Sequence, residues 1–183
     1  MKRVVVIIGM LVWVAAIAAR AETPAPKPGP AHQKLEIFVG DWTFQGDIKT
    51  TPLGPAAKTN GTLTGRMVLG GFFLEFRGEE KDASGTITAQ WLELDSYDPV
   101  AKRYTWISFD DHGNTLAATD MIEGNTMTYE GTGVQEGKQF KLRGSLVVAP
   151  DRMSFVDTME ISVDGGKTWR TWFEDRGTKA VTK

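Results

Sequence analysis

Asp41-Trp42-Thr43-Phe44-Gln45-Gly46-Asp47-Ile48-Lys49 alternates residue by residue, with Trp42, Phe44, Gly46 and Ile48 facing one way and Asp41, Thr43, Gln45, Asp47 and Lys49 the other. Successive strand side chains point to opposite faces, so this is a strand with one buried and one wet side. Similar β-rich runs follow at about 61–69, 72–80, 86–97, 102–110, 115–123, 126–133, 138–148, 153–163 and 168–176. Turn signals separate them, among them Gly70-Gly71, Asp82-Ala83-Ser84-Gly85, Asp98-Pro99, Gln135-Glu136-Gly137 and Asp164-Gly165-Gly166. Short, regularly spaced strands indicate an all-β sandwich or barrel. Short connections imply that neighbours pair in sequence order, and closing the sheet removes its exposed edges. The expectation is an all-β, antiparallel, up-and-down β-barrel of about 8–10 strands. Ahead of it, Leu35, Phe38 and Val39 recur at i, i+3, i+4 within 31–39, which predicts a short N-terminal helical turn ended by Gly40.

Further towards the N-terminus the chain changes character. Lys2 and Arg3 precede an uncharged apolar run from Val4 to Ala18, and Ala19-Arg20-Ala21 places small residues where a signal peptidase reads. This is the pattern of a secretory signal peptide, residues 1–21, with cleavage expected after Ala21. The run falls short of the roughly 20 residues that span a bilayer, so no stable membrane insertion is expected after cleavage. The expected destination is the periplasm or the medium. Residues 22–30, including Thr-Pro-Ala-Pro-Lys-Pro-Gly-Pro, read as a Pro-rich linker, which leaves 31–183 for one barrel domain.

The mature chain has 18 basic and 23 acidic residues, a net charge of −5. That excludes nucleic acid and an anionic membrane surface as expected partners, because both need a basic patch. The chain has no Cys, so an exported protein of this kind must be stabilised by its core rather than by disulfides.

Ser162-Val163-Asp164-Gly165-Gly166-Lys167-Thr168-Trp169 fits the Asp-box pattern S-x-D-x-G-x-T-W. It reads as a hairpin device in which Asp164 accepts turn N–H groups, Gly166 takes positive φ and Trp169 caps the turn. Phe38-x-Gly40-x-Trp42 resembles the G-x-W start of lipocalin and calycin barrels. That resemblance implies a Trp closing one barrel end beneath a basic side chain from the last strand, with Arg170 or Arg176 to supply it. A wider resemblance covers nearly all of the mature domain. Phe38-Val39-Gly40-Asp41-Trp42, Leu69-Gly70-Gly71-Phe72-Phe73-Leu74, Tyr97-Asp98-Pro99…Tyr104 and Met127-Thr128-Tyr129-Glu130-Gly131, in that order, are similar to the bacterial domain of unknown function 1579 family. The resemblance implies a calycin-like barrel in an exported bacterial protein; it implies no catalytic residues.

No nucleophile motif or phosphate loop appears. The glycines mark turns and strand bends. His32 lies in the entry segment and His112 in an Asp-His-Gly-Asn turn, so no strand carries a haem-ligating His. Asp110, Asp111 and Asn114 beside His112 read as a solvated hairpin tip rather than a Ca²⁺ loop, because the EF-hand spacing is absent. Met67, Met121, Met127, Met153 and Met159 are scattered without M-x-x-M clustering and read as core filler rather than a Cu(I) site. No cofactor and no metal are therefore expected.

The informative anomalies are charges on apolar faces. Asp157 shares a face with Met153, Phe155, Met159, Ile161 and Val163, and Asp120 shares one with Leu116, Ala118 and Ile122. A carboxylate turned into an apolar interior is costly unless paired, which makes each a ligand-site candidate or a member of a structural pair with Arg or Tyr. Trp91, Glu93 and Tyr97 share one face, and Tyr104 and Trp106 another. Turned inward, these build an aromatic lumen with sparse polar groups; turned outward, a protein-interaction patch. The candidate ligand-binding residues are Trp91, Glu93, Tyr104, Trp106, Asp120 and Asp157. The structural ones are Gly40, Trp42, Asp164, Gly166, Trp169 and Arg176. The leading expectation is a non-catalytic exported barrel holding a small apolar molecule. The alternatives are a filled barrel that binds another protein, whose identity is unknown, and an enzyme using Asp120 and Asp157 as acid and base.

Overall fold

A computed structural model describes residues 26–180. The apolar N-terminal run and the proposed cleavage site lie outside the described residues. The chain enters through a helical segment, α1 (Pro30–Gln33), continuing as a 3-10 turn over Lys34–Phe38. Pro30 at the first helical position suits this start, since its missing N–H would have no helical partner there. Leu35, Ile37 and Phe38 are buried, so the segment is a plug rather than a surface turn.

Ten strands follow: β1 (Gly40–Ile48), β2 (Ala57–Val68), β3 (Phe73–Lys81), β4 (Ile87–Asp98), β5 (Arg103–Asp110), β6 (Thr115–Glu123), β7 (Thr126–Gln135), β8 (Lys138–Val148), β9 (Ser154–Ser162) and β10 (Arg170–Lys179). Each pairs antiparallel with its sequence neighbours, and β1 closes on β10 with Trp42 opposite Lys179. The sheet is a closed, up-and-down barrel, as the alternation and the short turns imply. Inward residues run Trp42 and Phe44 on β1, Leu74 and Phe76 on β3, Leu142 and Leu146 on β8, and Phe155, Met159 and Ile161 on β9. Burying these apolar faces against one another supplies the stabilisation that disulfides do not.

The two barrel ends differ. Around Trp42, the plug seals one of them. Trp42 is buried, its indole N–H donates to the Phe38 carbonyl at 3.1 Å, and its ring meets Phe155 edge-on at 5.4 Å. The basic side chain over Trp42 is Lys179, 5.0 Å from the ring centroid, and not Arg170 or Arg176. Antiparallel pairing of β1 with β10 fixes this, because it is Lys179 that lies opposite Trp42. Arg176 pairs instead with Glu174 on the outside at 2.8 Å. Gly40 opens β1 at φ 150° directly beneath the Lys179 side chain.

At the opposite end, the Asp-box turn forms as its residues imply. Asp164 accepts the Lys167 and Thr168 N–H groups at 3.0 and 2.9 Å and the Thr168 hydroxyl at 2.6 Å, and these bonds hold its carboxyl far below the usual range. Gly166 has φ 97°. The Trp169 indole donates to the Gly166 carbonyl at 3.1 Å, with Arg143 stacked on its ring at 4.2 Å. Because this turn consumes residues up to Trp169, β10 begins at Arg170, two residues later than the alternation alone suggests. A bulge between Thr171 and Phe173 then turns both Trp172 and Phe173 towards the interior.

Inward glycines make room for inward rings. A Cβ on Gly144 would collide with the Tyr129 hydroxyl and the Thr158 carbonyl on the two flanking strands. Gly144→Ala is expected to cost about 2 kcal/mol, the usual range for overpacking a core, as a lowered midpoint in urea unfolding at an unchanged slope.

Candidate functional site

Strands β1, β3, β5, β7 and β9 run from the sealed end towards the other, so the loops 49–56, 82–86, 111–114, 136–137 and 163–169 ring the opposite mouth, with Thr51 and Leu53 of the first loop buried there. Between mouth and plug lies a cavity of about 350 Å³, within the range of small-molecule pockets. Its walls are mainly apolar and rich in aromatic rings. Trp91 meets Phe44 edge-on at 5.7 Å, and Trp106 meets Tyr129 at 5.9 Å and 84°. Edge-to-face pairs of this kind are favoured by the ring quadrupoles and hold the walls in one arrangement.

Carboxyls interrupt these walls at three depths. Glu80 and Asp175 lie towards the mouth, and Glu93 and Asp157 stand deeper beside Tyr129. Below them, Asp95 and Asp120 are 0% and 1% exposed. Asp110 also reaches the lumen wall, but its carboxylate is engaged by the loop, accepting the His112 and Asn114 N–H groups at 3.0 and 2.8 Å. Among the described residues, no Lys, Arg or His lines the cavity.

Tyr129 donates its hydroxyl to Asp157 at 2.8 Å. Neither oxygen of Asp95 or of Asp120 has a hydrogen-bond partner. A buried carboxyl without partners resists ionisation. Burial pushes Glu93 up to about 8, helped by the neighbouring charges of Asp120 and Asp157. Burial likewise raises Asp120 to about 7, although the Trp106 indole nearby offsets part of the rise. Asp157 also rises to about 7 through burial, against the Tyr129 hydrogen bond, which favours its charged form. Asp95 is raised well above the ordinary range, by burial first and then by Glu93 and Asp120. The Tyr129 hydroxyl is pushed up in turn by burial and by Asp157. Glu93 keeps part of its surface accessible, but that surface faces the lumen rather than bulk solvent, so protein still surrounds the group on all sides.

Of the six residues singled out in the sequence, Trp91, Glu93, Trp106 and Asp157 line one cavity. Tyr104 and Asp120 point inward but lie beneath it. Tyr104 is a fixture of the floor rather than of the pocket wall: its hydroxyl donates to the Ala31 carbonyl at 2.9 Å, tying the plug to β5, and its ring leans on Tyr97 at 5.1 Å. Asp120 lies opposite Tyr104 on one side and Tyr129 on the other. Asp95, Tyr129, Glu80 and Asp175 belong to the same interior and were not among the expected residues. Asp95 shares strand parity with Trp91, Glu93 and Tyr97, and that is the one signal that points to it.

The inward direction of these side chains settles the choice left open between lumen and surface. Trp106 is 6% exposed, and Trp91 packs on the core, so they form no outer patch.

Comparison with known proteins yields a family and a fold. The model of a family described as "Protein of unknown function (DUF1579)" matches residues 27–171. No curated protein matches. Among solved structures, the crystal structure of Rv2717c from M. tuberculosis superposes with a TM-score of 0.61 over 84% of this chain and 99% of that one, at 13% identity. At that identity the likeness is one of fold alone, a closed antiparallel β-barrel.

Proposed function

The chain belongs to the DUF1579 family of proteins of unknown function, and from its own geometry we propose that it is an exported, non-catalytic protein that holds a small, largely apolar molecule in its barrel. The observation that carries this reading is the cavity itself, about 350 Å³ lined largely by aromatic and aliphatic side chains above a sealed floor, on the side of the loop-ringed end. Binding there is driven by removing apolar surface from water against Trp91, Trp106, Phe155 and Met159. The rings are already held by their neighbours, so little ordering is required when a ligand enters. Export is proposed from residues 1–21 alone, which have the three parts of a signal peptide.

A purely binding role agrees with the state of the interior acids. Asp157 is held by Tyr129, and Asp120 lies beneath the cavity with only the Trp106 indole near its carboxyl. A general acid or base has to reach the reacting atom within hydrogen-bond distance.

Native mass spectrometry of protein purified from its own host, combined with organic extraction, tests the reading. A retained or exchangeable small molecule is the expected result, and its loss on widening the wall with Trp106→Ala is a second one. A protein that carries nothing and takes up no apolar probe contradicts the proposal.

A further inference from the structure

Resting on the reading of the lumen as a binding site, we propose that the ligand carries a positive charge: an organic ammonium whose charged head is held between Glu93 and Asp157, above Asp95 and Asp120, while its apolar body packs on Trp91 and Trp106.

Two independent features of the interior point to this class. The first is an imbalance of charge. Among the described residues, every strand-borne ionisable group that lines the cavity or lies fully buried beneath it is an acid or a phenol. They are Glu80 on β3, Glu93 and Asp95 on β4, Tyr104 and Asp110 on β5, Asp120 on β6, Tyr129 on β7, Asp157 on β9 and Asp175 on β10. Strands β1, β2 and β8 contribute none there. The nearest cations belong to the outside of the sealed end or to the rim. Lys179 sits on Trp42, Lys34 donates to the Ile122 carbonyl at 3.5 Å, and His32 packs against Phe72 and Tyr97. At the mouth, His112 pairs with Asp111 at 3.2 Å.

The second feature is the pair of orphaned acids. Asp95 and Asp120 are fully enclosed, and all four of their carboxyl oxygens lack a partner. Burying such groups costs stability, and within a fold that is otherwise well satisfied the cost calls for a compensating partner. The protein itself supplies none of opposite charge. A cation in the lumen would supply one, because Glu93 lines the cavity two residues above Asp95 on β4 and lies within electrostatic reach of both acids beneath it.

The walls suit the same guest. Indole and phenol faces attract ammonium groups through the ring quadrupole, and Trp91, Trp106 and Tyr129 surround the acids. An anion would meet only like charge. A bare metal ion does not fit either, since no three acidic or His side chains converge in metal-ligand geometry among the described residues. The guest is therefore a compact molecule with one cationic end.

Binding of a cation favours the ionised form of the acids, so protons leave for solvent as the ligand enters. The test uses two probes of one shape. Phenyltrimethylammonium is permanently charged, and tert-butylbenzene is its neutral carbon isostere. Binding to the organically extracted protein is followed by tryptophan fluorescence between pH 5 and pH 8. The cation is expected to bind at least tenfold more tightly than the isostere at pH 8, and to weaken at least tenfold on going to pH 5, while the isostere shows no such trend. Glu93→Gln should weaken the cation at least tenfold at pH 8 and leave the isostere unchanged, which also shows that the variant is folded. Asp157→Asn should act in the same direction. An isostere that binds as tightly as the cation at pH 8 overturns the charge assignment and leaves the lumen as a binding site. Failure of both probes overturns both.

Discussion

Raising the pH of the unliganded protein from 5 to 8 is expected to lower its stability steadily, by about 1.4 kcal/mol per pH unit for each proton retained by the folded state alone. The sign is opposite to that of ordinary acid denaturation. In an unfolded chain these carboxyls ionise near pH 4. In the barrel Glu93 holds its proton up to about 8 and Asp120 and Asp157 up to about 7, and burial holds Asp95 well above its ordinary range. Between those values the native state binds more protons than the unfolded state, so stability falls as pH rises. Below about pH 4 both states are protonated and these groups contribute no slope. Asp41, Asp82, Asp98 and Asp164 act in the opposite sense, because their hydrogen bonds lower them. Their stabilisation is lost only as pH falls below the unfolded values. Maximum stability should therefore lie near pH 4–5. The thermal midpoint should drop by about 10 °C or more between pH 5 and 8 for a domain of this size. Glu93→Gln should flatten the decline and raise the midpoint at pH 8, since it removes one charge without removing volume. A midpoint that is level or rising over this range would show that the interior acids ionise freely.

The second large effect belongs to the sealed end. Trp42→Ala is expected to cost about 3–5 kcal/mol, the range for deleting a buried large aromatic. Trp42 joins three parts of the fold: the Phe38 carbonyl of the plug, the Phe155 ring on β9 and the Lys179 chain on β10. Removing the indole leaves a cavity and frees a buried carbonyl of its donor. The plug should loosen with it, visible as faster amide exchange at Leu35–Val39. Lys179→Met should cost less, about 1–2 kcal/mol, because Met keeps most of the packing over the buried ring and only the attraction of the cation to the indole is lost. Equal losses in the two variants would mean that the cation, rather than the indole, closes this end.

Much of the barrel is legible in local alternation, because its strands each have one apolar face and short turns that force neighbours together. Asp120 and Asp157 were legible for the same reason: apolar residues two positions away on either side place each of them inside. Asp95 was hidden by the opposite parity. Leu92 and Leu94 are the more apolar residues of that stretch, yet they face outwards while Glu93 and Asp95 face inwards. Aromatic Trp91 and Tyr97 set the direction of the strand there. Tyr129 is flanked by Thr128 and Glu130, and nothing local marks it as the partner of an acid 28 residues away. The choice of Lys179 over Arg176 depended on the register of β1 against β10, which only closure of the barrel fixes. Local pattern therefore carries direction within a strand, while pairing across the barrel determines which inward groups meet.

The proposed site is a cavity enclosed by carboxyls without counter-charge. Carbon-13 NMR of the side-chain carboxyls, titrated in the extracted protein, reads this most directly. Glu93 is expected to titrate near 8 and Asp120 and Asp157 near 7, with all three moving downward when phenyltrimethylammonium is added. Midpoints at the ordinary carboxyl values near 4, unchanged by the cation, would contradict it.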